Sequence, residues 1–529
     1  MPLSYDFPYP SQRMPIMAKN VVATSQPLAA QAGLRMLLQG GNAVDAAVAA
    51  AAALTVVEPT SNGIGSDAFC ILWDGEKLHG LNASGRSPAA LTPERFAGQG
   101  AVPLRGWDAV TVPGAVSAWV ELSEKFGKLP FERLLEPAII YAREGFLVSP
   151  ITAKAWSFAP KTFGEFEAFS KGFLPDGRAP NAGDLFTFPD QATTLRKIAA
   201  TKGEAFYRGE LAQAIAADAK KHGALLTEED LANHRADWVG TVSQGYGGVE
   251  LHEIPPNGQG LAALIMLGIL KHHDVSQYPP DSADSLHLQI EAMKLAFADA
   301  YRYISDPATM DVDIRDLLDN GYLAERAQLI SMREARDPGH GTPERGGTVY
   351  LTTADESGMM VSFIQSNYYG FGSGIVVPGT GISLQNRGAG FVLDEGHPNQ
   401  VGPAKRPFHT IIPGFVTRGG QPVMSFGVMG GPMQPQGHAQ MVVRMFIYDQ
   451  NPQTASDAPR WRVLEGRKVA VEQGFSDQVL NELTSRGHAL DRSELGTDFS
   501  FGGAQLIYKT ESGYIAGSDH RKDGQAVGY

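Results

Sequence analysis

The chain has 529 residues and a mass of 56.7 kDa, a length at which two domains or one large layered domain is expected. Its 44 basic and 57 acidic residues give a net charge of −13, and the chain has no lysine- or arginine-rich run. This balance argues against nucleic acid and against an anionic membrane as partners. A single cysteine, Cys70, excludes an internal disulfide framework and a cysteine-rich metal site.

The start of the chain does not have the pattern of an export signal. The first twenty residues contain four prolines and lack the apolar run that a secretory signal needs. The longest apolar stretch, residues 46–57, is shorter than the roughly 20 residues that span a bilayer, so it predicts a buried, alanine-rich helix. We therefore expect a cytoplasmic protein that does not bind membranes.

The part before residue 346 is predicted to be mainly helical. Its clearest helix covers residues 284–305, where apolar residues recur at spacings of four and three and form one face. Ser282 or Asp284 is available to cap the start of this helix. A polar stretch rich in glycine and proline, residues 336–347, predicts an exposed loop.

Strand patterns dominate the part that follows. Apolar runs separated by short turns rich in glycine predict three pairs of strands. The predicted pairs are residues 348–355 with 359–367, 409–417 with 422–426, and 505–508 with 514–516. A mainly helical part therefore leads through a loop into a strand that begins at Thr348.

Common catalytic motifs are missing from the sequence. It contains no G-x-S-x-G elbow, no H-E-x-x-H motif and no P-loop. His287 and Glu291 share one face of the predicted helix, but such a pair is more typical of a structural contact than of a metal site. We therefore predict neither a metal nor a cofactor.

Gly346, Gly347 and Thr348 stand where the predicted loop enters the first strand. Such a triplet is usually a turn. It also fits a threonine that becomes an N-terminus after cleavage of the chain. A threonine hydroxyl needs a base to take its proton before it can act as a nucleophile, and a free α-amino group with a pKa near about 7.7–8.0 can be that base. Such a site requires cleavage of the Gly347–Thr348 peptide by the Thr348 hydroxyl.

Several further motifs occur in a fixed order. They are GGNAVDAA at residues 40–47, VPGA at 112–115, EAMK at 291–294, KRP at 405–407, the glycine pair at 430–431, and the tail from residue 518. With Thr348 in place, the chain resembles the γ-glutamyltransferase family of N-terminal-nucleophile hydrolases along nearly its whole length. Residues 365–374 and 378–387 are similar to the oxamate amidohydrolase branch of that family.

The resemblance implies an α+β fold, a four-layer αββα sandwich of the N-terminal-nucleophile hydrolase type. It also implies a precursor that cleaves itself before Thr348 into a large chain, residues 1–347, and a small chain, residues 348–529. The two chains are expected to stay together as a heterodimer because the sheets share one core. The resemblance leaves a higher oligomeric state open.

Catalytic roles follow from the same resemblance. Thr348 is expected to attack the amide carbonyl and to form an acyl-enzyme. Gly430 and Gly431 match the family's oxyanion hole, in which two backbone N–H groups stabilise the developing negative charge. Ser366 or Asn367 corresponds to a polar residue beside the nucleophile, and the sequence leaves open which of them bonds the Thr348 hydroxyl.

The substrate pocket departs from the family pattern. Family members that bind γ-glutamyl groups hold the substrate's α-amino group with an aspartate, but Gly390 occupies that position here and Arg387 stands nearby. An ammonium group would lose its counter-charge and meet a cation, so a γ-glutamyl donor is expected to bind badly. His409 and Thr410 replace the family's adjacent serines. Arg86 stands where the family has a carboxylate-binding arginine, whose guanidinium can form two hydrogen bonds.

These residues predict a pocket that recognises a carboxylate but no α-amino group. The small amide that fits best is oxamate, and we expect hydrolysis to oxalate and ammonia. Three alternatives stay open: a γ-glutamyl hydrolase or transferase acting on glutathione, an acylase for glutaryl-cephalosporin-like amides, and a non-catalytic binding protein that never cleaves itself.

Overall fold

The computed structural model describes residues 13–338, 347–492 and 500–529. Its strands are β1 Ile16–Ala18, β2 Val21–Thr24, β3 Asp67–Trp73, β4 Leu78–Ala83, β5 Phe146–Leu147, β6 Leu185–Phe186, β7 Asp237–Trp238, β8 Val242–Tyr246, β9 Val249–Glu253, β10 Gly347–Ala354, β11 Met360–Tyr368, β12 Val376–Val377, β13 Ile382–Ser383, β14 Gly414–Arg418, β15 Gln421–Val428, β16 Trp461–Val463, β17 Lys468–Val471, β18 Ala489–Asp491, β19 Ala504–Lys509, β20 Tyr514–Ser518 and β21 Gln525–Gly528.

The α-helices of the described residues fall into two groups, before and after β10. They are α1 Pro27–Leu38, α2 Ala43–Val57, α3 Ala115–Phe126, α4 Phe131–Glu144, α5 Pro150–Trp156, α6 Ala159–Phe163, α7 Glu167–Phe173, α8 Pro189–Thr201, α9 Glu204–Tyr207, α10 Glu210–Lys221, α11 Glu228–Asn233, α12 Gly260–Leu270, α13 Ala283–Tyr303, α14 Ile314–Leu317, α15 Asn320–Ala327, α16 Met433–Phe446, α17 Pro452–Asp457 and α18 Asp477–Ser485.

Two seven-stranded sheets form the centre of the molecule. The first has the order β1-β20-β19-β15-β14-β9-β8, and the second has the order β21-β2-β10-β11-β3-β4-β7. Every pairing within these two sheets is antiparallel. Both sheets contain strands from before and after residue 348, so neither part completes either sheet by itself.

Side-chain alternation along the strands creates the layers. In β10, Tyr350 packs between the sheets with Phe415 of the first sheet, whereas its neighbours Val349 and Leu351 pack against helices such as α2. Successive side chains of a strand point to opposite faces, so each sheet buries one face on the other sheet and one on helices. On the first sheet the helical layer includes α12, α13 and α16. The fold is the predicted αββα sandwich.

Several predicted elements are confirmed. The alanine-rich run is part of α2, in which every residue is buried. The amphipathic helix is α13, and the hydroxyl of Ser282 caps it by accepting a hydrogen bond from the Ser285 N–H. The strands predicted around Thr348 are β10 and β11, with bounds that differ by one residue. The described part of the predicted loop, residues 336–338, is irregular, and residues 339–346 lie outside the described ranges.

Two predictions about strands need correction. The part before residue 346 contributes strands to both sheets, including β3, whose side chains are all buried and which therefore shows no alternation in the sequence. The predicted strand at residues 409–417 begins only at Gly414. The preceding N–H groups of His409 and Ile412 donate to Asn257 and Gln434 instead of to a neighbouring strand. Among the described helices, none combines the length and the apolar character needed to cross a bilayer.

Candidate active site

Thr348 lies at a β-bulge at the start of β10. Gly347 pairs with Tyr368 of β11 and Val349 pairs with Gln365, so two residues of β11 stand opposite one residue of β10. A bulge of this kind breaks the ladder locally and redirects side chains. It brings the two candidate neighbours of the nucleophile, residues 366 and 367, opposite the buried Thr348.

The Thr348 hydroxyl has two hydrogen-bond partners among the described residues. It donates to Ser366 Oγ at 3.2 Å, and it accepts a longer hydrogen bond, 3.4 Å, from Gln434 Nε2. The side chain of Asn367 turns elsewhere, because its Oδ1 accepts from the Ser66 hydroxyl at 2.8 Å. The structure therefore brings Ser366 rather than Asn367 to the hydroxyl.

Gly430 and Gly431 lie immediately before α16, which carries Gln434 in its first turn. Their φ angles are +115° and +59°, a region that only glycine adopts readily. The Gly431 carbonyl accepts from the Gln434 N–H at 3.1 Å, which ties the pair to the residue that contacts Thr348. Neither glycine N–H donates to another described residue. Both N–H groups are therefore available to an oxyanion near the start of a helix.

Arg387 places a positive charge in the interior. It is 1% exposed, and one terminal nitrogen, Nη1, donates to the Thr410 hydroxyl at 2.6 Å. The guanidinium carbon lies 4.6 Å from the ring centre of Tyr368, within range of a cation–π interaction. Its Nε and Nη2 have no hydrogen-bond partner among the described residues. Burial lowers the pKa of Arg387 to about 10, so the group stays charged at neutral pH.

Asp67 and His409 form a fully buried pair near Arg387. Asp67 Oδ2 lies 3.1 Å from His409 Nε2, and Oδ1 accepts from the N–H groups of Gly85 and Gly114. Burial raises the pKa of Asp67 to about 7, although the positive charge of Arg387 opposes this shift. Burial, together with the same guanidinium, holds the pKa of His409 well below its usual range, so the imidazole is neutral at pH 7.

Gln259 connects the arginine to the glycine pair. Its side-chain nitrogen donates to the Thr410 carbonyl at 2.5 Å and to the Gly431 carbonyl at 2.9 Å. The residue is fully buried, and its Oε1 has no partner among the described residues. A continuous path of contacts therefore runs through Thr348, Gln434, Gly431, Gln259, Thr410 and Arg387.

Arg86 is not part of this path. Its guanidinium lies 3.0 Å from the Asp306 carboxylate and 3.3 Å from the Ala404 carbonyl, and its side chain is 46% exposed. The structure therefore gives Arg86 a different environment from that of Arg387. Arg406, which the sequence marked only as part of KRP, acts on the buried pair instead. Its charge opposes the rise in the pKa of Asp67 and contributes to the lowered pKa of His409.

The sequence analysis missed Gln434, Gln259 and Asp67. Gln434 lies 86 residues from its partner Thr348, and Asp67 lies 342 residues from its partner His409. The partners of all three residues lie far away in the chain, so no local pattern distinguished these residues.

The pair of His287 and Glu291 gains a third neighbour, His488, in the structure. The ligand atoms of the three residues lie within 4.8 Å of one another. They already have partners, because His287 Nδ1 is 2.8 Å from His488 Nε2 and both carboxylate oxygens of Glu291 accept hydrogen bonds, one of them from the Lys294 ammonium at 2.8 Å. A cation beside the carboxylate disfavours a metal ion, so these contacts have the character of a structural network.

A family model described as gamma-glutamyltranspeptidase matches residues 29–529. The chain is 38% identical to the glutathione hydrolase-like YwrD proenzyme of Bacillus subtilis, covering 97% of this chain and 99% of the relative. It is also 38% identical to the oxamate amidohydrolase proenzyme of Klebsiella pneumoniae, covering 95% and 97%.

Among solved structures, a cephalosporin acylase from Bacillus halodurans superimposes with a TM-score of 0.95. That protein is 49% identical, and the match covers 100% of this chain and 99% of the other. The described residues of this chain therefore have the fold of that protein.

Proposed function

The chain belongs to the gamma-glutamyltranspeptidase family and is a hydrolase of its N-terminal-nucleophile type, and on that premise we propose that it hydrolyses a small amide that carries a carboxylate. The preferred substrate is oxamate, with oxalate and ammonia as products. Activity requires self-cleavage between Gly347 and Thr348, which leaves residues 1–347 and 348–529 associated as a heterodimer.

The observation that carries the proposal is the incomplete bonding of Arg387. A guanidinium buried without acceptors is unfavourable, because each of its N–H groups has lost water. Nε and Nη2 form the side of the group that binds a carboxylate through two parallel hydrogen bonds. A substrate carboxylate would satisfy both nitrogens, while Thr410 keeps the group in position from the opposite side.

The acylation step uses groups that lie together along the path from Thr348 to Gly431. The Thr348 hydroxyl gives its proton to the residue's own α-amine and attacks the amide carbon, and the resulting oxyanion accepts hydrogen bonds from Gly430 and Gly431. When the C–N bond breaks, the nitrogen takes the proton from the ammonium group and leaves as ammonia. The product of this step is an ester on Thr348 Oγ.

Deacylation reverses the roles of the same groups. A water molecule gives a proton to the Thr348 amine and attacks the ester carbon, and the same two N–H groups bind the oxyanion. The C–Oγ bond then breaks, Oγ regains the proton, and the dicarboxylate leaves. The hydrogen bond from the side-chain nitrogen of Gln434 stabilises the negative charge that Oγ carries as it leaves.

A γ-glutamyl substrate fits this pocket less well. Its α-ammonium group needs an anionic partner. Among the described residues, the carboxylate that interacts with Arg387 is that of Asp67. Both oxygens of Asp67 are already engaged, with two backbone N–H groups and with His409. The positive charge of Arg387 would also repel the ammonium group.

An acylase for glutaryl-type amides is the second candidate. It is favoured by the 49% identity to a protein described as a cephalosporin acylase. Such a substrate also presents a carboxylate and no α-amine to the arginine, but its carboxylate and its scissile amide are separated by a longer chain. The two candidates therefore differ in the length of the acyl group and in the size of the leaving amine.

Ammonia release from oxamate by the purified, cleaved protein tests the proposal directly. A glutaryl anilide serves as the parallel substrate, and the Thr348→Ala protein serves as the blank. Turnover of oxamate above the blank, with little release from the glutaryl anilide, is the expected result. Turnover of the glutaryl anilide alone would replace the first candidate with the second.

A further inference from the structure

The path from Thr348 to Arg387 is rich in hydrogen-bond donors. Arg387 offers Nε and Nη2, and Gly430 and Gly431 offer their backbone N–H groups. These donors suit the carboxylate and the carbonyl oxygen of an amide substrate, both of which are acceptors. The amide nitrogen is different, because its N–H groups are donors and need an acceptor once the substrate is buried.

Gln259 supplies an unused acceptor beside these donors. Its side-chain nitrogen is bound to the carbonyls of Thr410 and Gly431, which fixes the orientation of the amide and identifies the other atom as oxygen. That oxygen, Oε1, is buried and has no partner among the described residues. Gln259 thus lies between Thr410, whose hydroxyl binds Arg387, and Gly431 of the glycine pair.

We propose that Gln259 is a specificity-determining residue whose Oε1 accepts a hydrogen bond from the N–H of the scissile amide. This inference rests on the proposed function, because it needs a substrate whose carboxylate binds Arg387. The same contact holds the nitrogen as the C–N bond breaks and ammonia forms. It makes the site selective for amides over esters of the same acid, because an ester oxygen has no hydrogen to donate.

The experiment compares oxamate with monomethyl oxalate, the ester of the same acid, in wild-type and variant proteins. In Gln259→Met, kcat/KM for oxamate should fall at least about tenfold relative to kcat/KM for the ester, the effect of losing about one buried hydrogen bond. An unchanged ratio in Gln259→Met would overturn the proposal.

Gln440→Met is the matched control. Gln440 is also buried, its nitrogen donates to the Trp461 carbonyl at 3.0 Å, and its Oε1 also lacks a partner among the described residues. It lies in α16 outside the contact path, so its replacement should leave the amide-to-ester ratio unchanged. A drop in the ratio in this control equal to that in Gln259→Met would mean that loss of any buried glutamine has the effect.

Two further outcomes are distinguishable. If Gln259→Met does not yield cleaved protein, Gln259→Asn retracts the acceptor by one methylene and should lower the ratio as well, and a wild-type ratio there would overturn the proposal. If the wild type hydrolyses glutaryl amides but not oxamate, the first candidate function fails by itself. The role of Gln259 is then decided by the same ratio, measured with a glutaryl amide and a glutaryl ester.

Discussion

The guanidinium of Arg387 donates a 2.6 Å hydrogen bond to the Thr410 hydroxyl, while its Nε and Nη2 have no partner within the described residues. If these nitrogens bind the substrate carboxylate, Arg387→Ala should lower kcat/KM for oxamate about 100-fold or more, mainly through KM. Arg387→Lys should recover only part of this loss, because an ammonium group lacks the planar fork. Steady-state kinetics on oxamate measures both effects.

Arg86→Ala is the matched comparison for this arginine. Arg86 lies outside the path from Thr348 to Arg387, and its guanidinium is already paired with the buried carboxylate of Asp306, so we expect less than about a threefold change in KM. Self-cleavage, followed by intact mass, should persist in both arginine variants. A larger effect of Arg86→Ala than of Arg387→Ala would assign carboxylate binding to Arg86 and contradict the present assignment.

Self-cleavage depends on the Thr348 hydroxyl. Thr348→Ala should leave one chain of 56.7 kDa, whereas the wild type should give two chains that end at residue 347 and begin at residue 348. Thr348→Ser keeps a hydroxyl and should still be cleaved, although more slowly. Intact-mass spectrometry separates these cases, and cleavage that persists in the alanine variant would remove Thr348 from the mechanism.

Gln434 is expected to assist the nucleophile directly. Its side-chain nitrogen Nε2 lies 3.4 Å from Thr348 Oγ1, and its Oε1 accepts from the Ile412 N–H at 2.9 Å, which orients the side-chain amide. Gln434→Leu should lower kcat about tenfold, the usual effect of about one hydrogen bond to a reacting group. Rapid-quench mass spectrometry should show more acyl-enzyme than in the wild type, because departure of Oγ is slowed. A wild-type kcat and a wild-type amount of acyl-enzyme would show that the contact is incidental.

Asp67 gives the folded protein a defined dependence on pH. Burial raises its pKa from the usual 3.8 to about 7, so between these values the folded protein keeps a proton that the unfolded chain has lost. The contribution of Asp67 to the free energy of unfolding is therefore largest below about pH 4, falls as the pH rises to about 7, and stays constant above that. Asp67→Asn removes this dependence while keeping a side chain of the same shape.

Thermal unfolding of the wild type and Asp67→Asn from pH 4.5 to 8.5 measures this effect. The difference in Tm, variant minus wild type, should increase up to about pH 7 and then level off. Glu58, whose pKa burial also raises to about 7, contributes equally to both proteins and cancels in the difference. A difference that does not depend on pH would show that Asp67 is ionised throughout this range.

The strands around Thr348 and the amphipathic helix α13 could be predicted from the sequence, because their apolar residues recur with a clear period. The strand β3 could not, since burial on both faces removes the alternation that identifies a strand. The αββα arrangement followed from the resemblance to a family. Local patterns alone did not indicate that the part before residue 346 completes both sheets.

The site was predictable where a motif marks it and hidden where long-range contacts build it. Thr348, Gly430 and Gly431 came from motifs, and the structure connects them through Gln434. The choice between Ser366 and Asn367 depended on the bulge opposite Thr348, which no sequence spacing reveals. Likewise, the different environments of Arg86 and Arg387 arise from the partners that each meets in the folded chain.

The most direct test of the account is a paired assay on the cleaved wild-type protein near neutral pH. Ammonia release from oxamate and chromophore release from a γ-glutamyl anilide are measured at equal substrate concentrations. The account predicts turnover of oxamate and no detectable release from the anilide, because Arg387 binds a carboxylate and repels an α-ammonium group. Rapid release from the γ-glutamyl anilide with no ammonia from oxamate would contradict it.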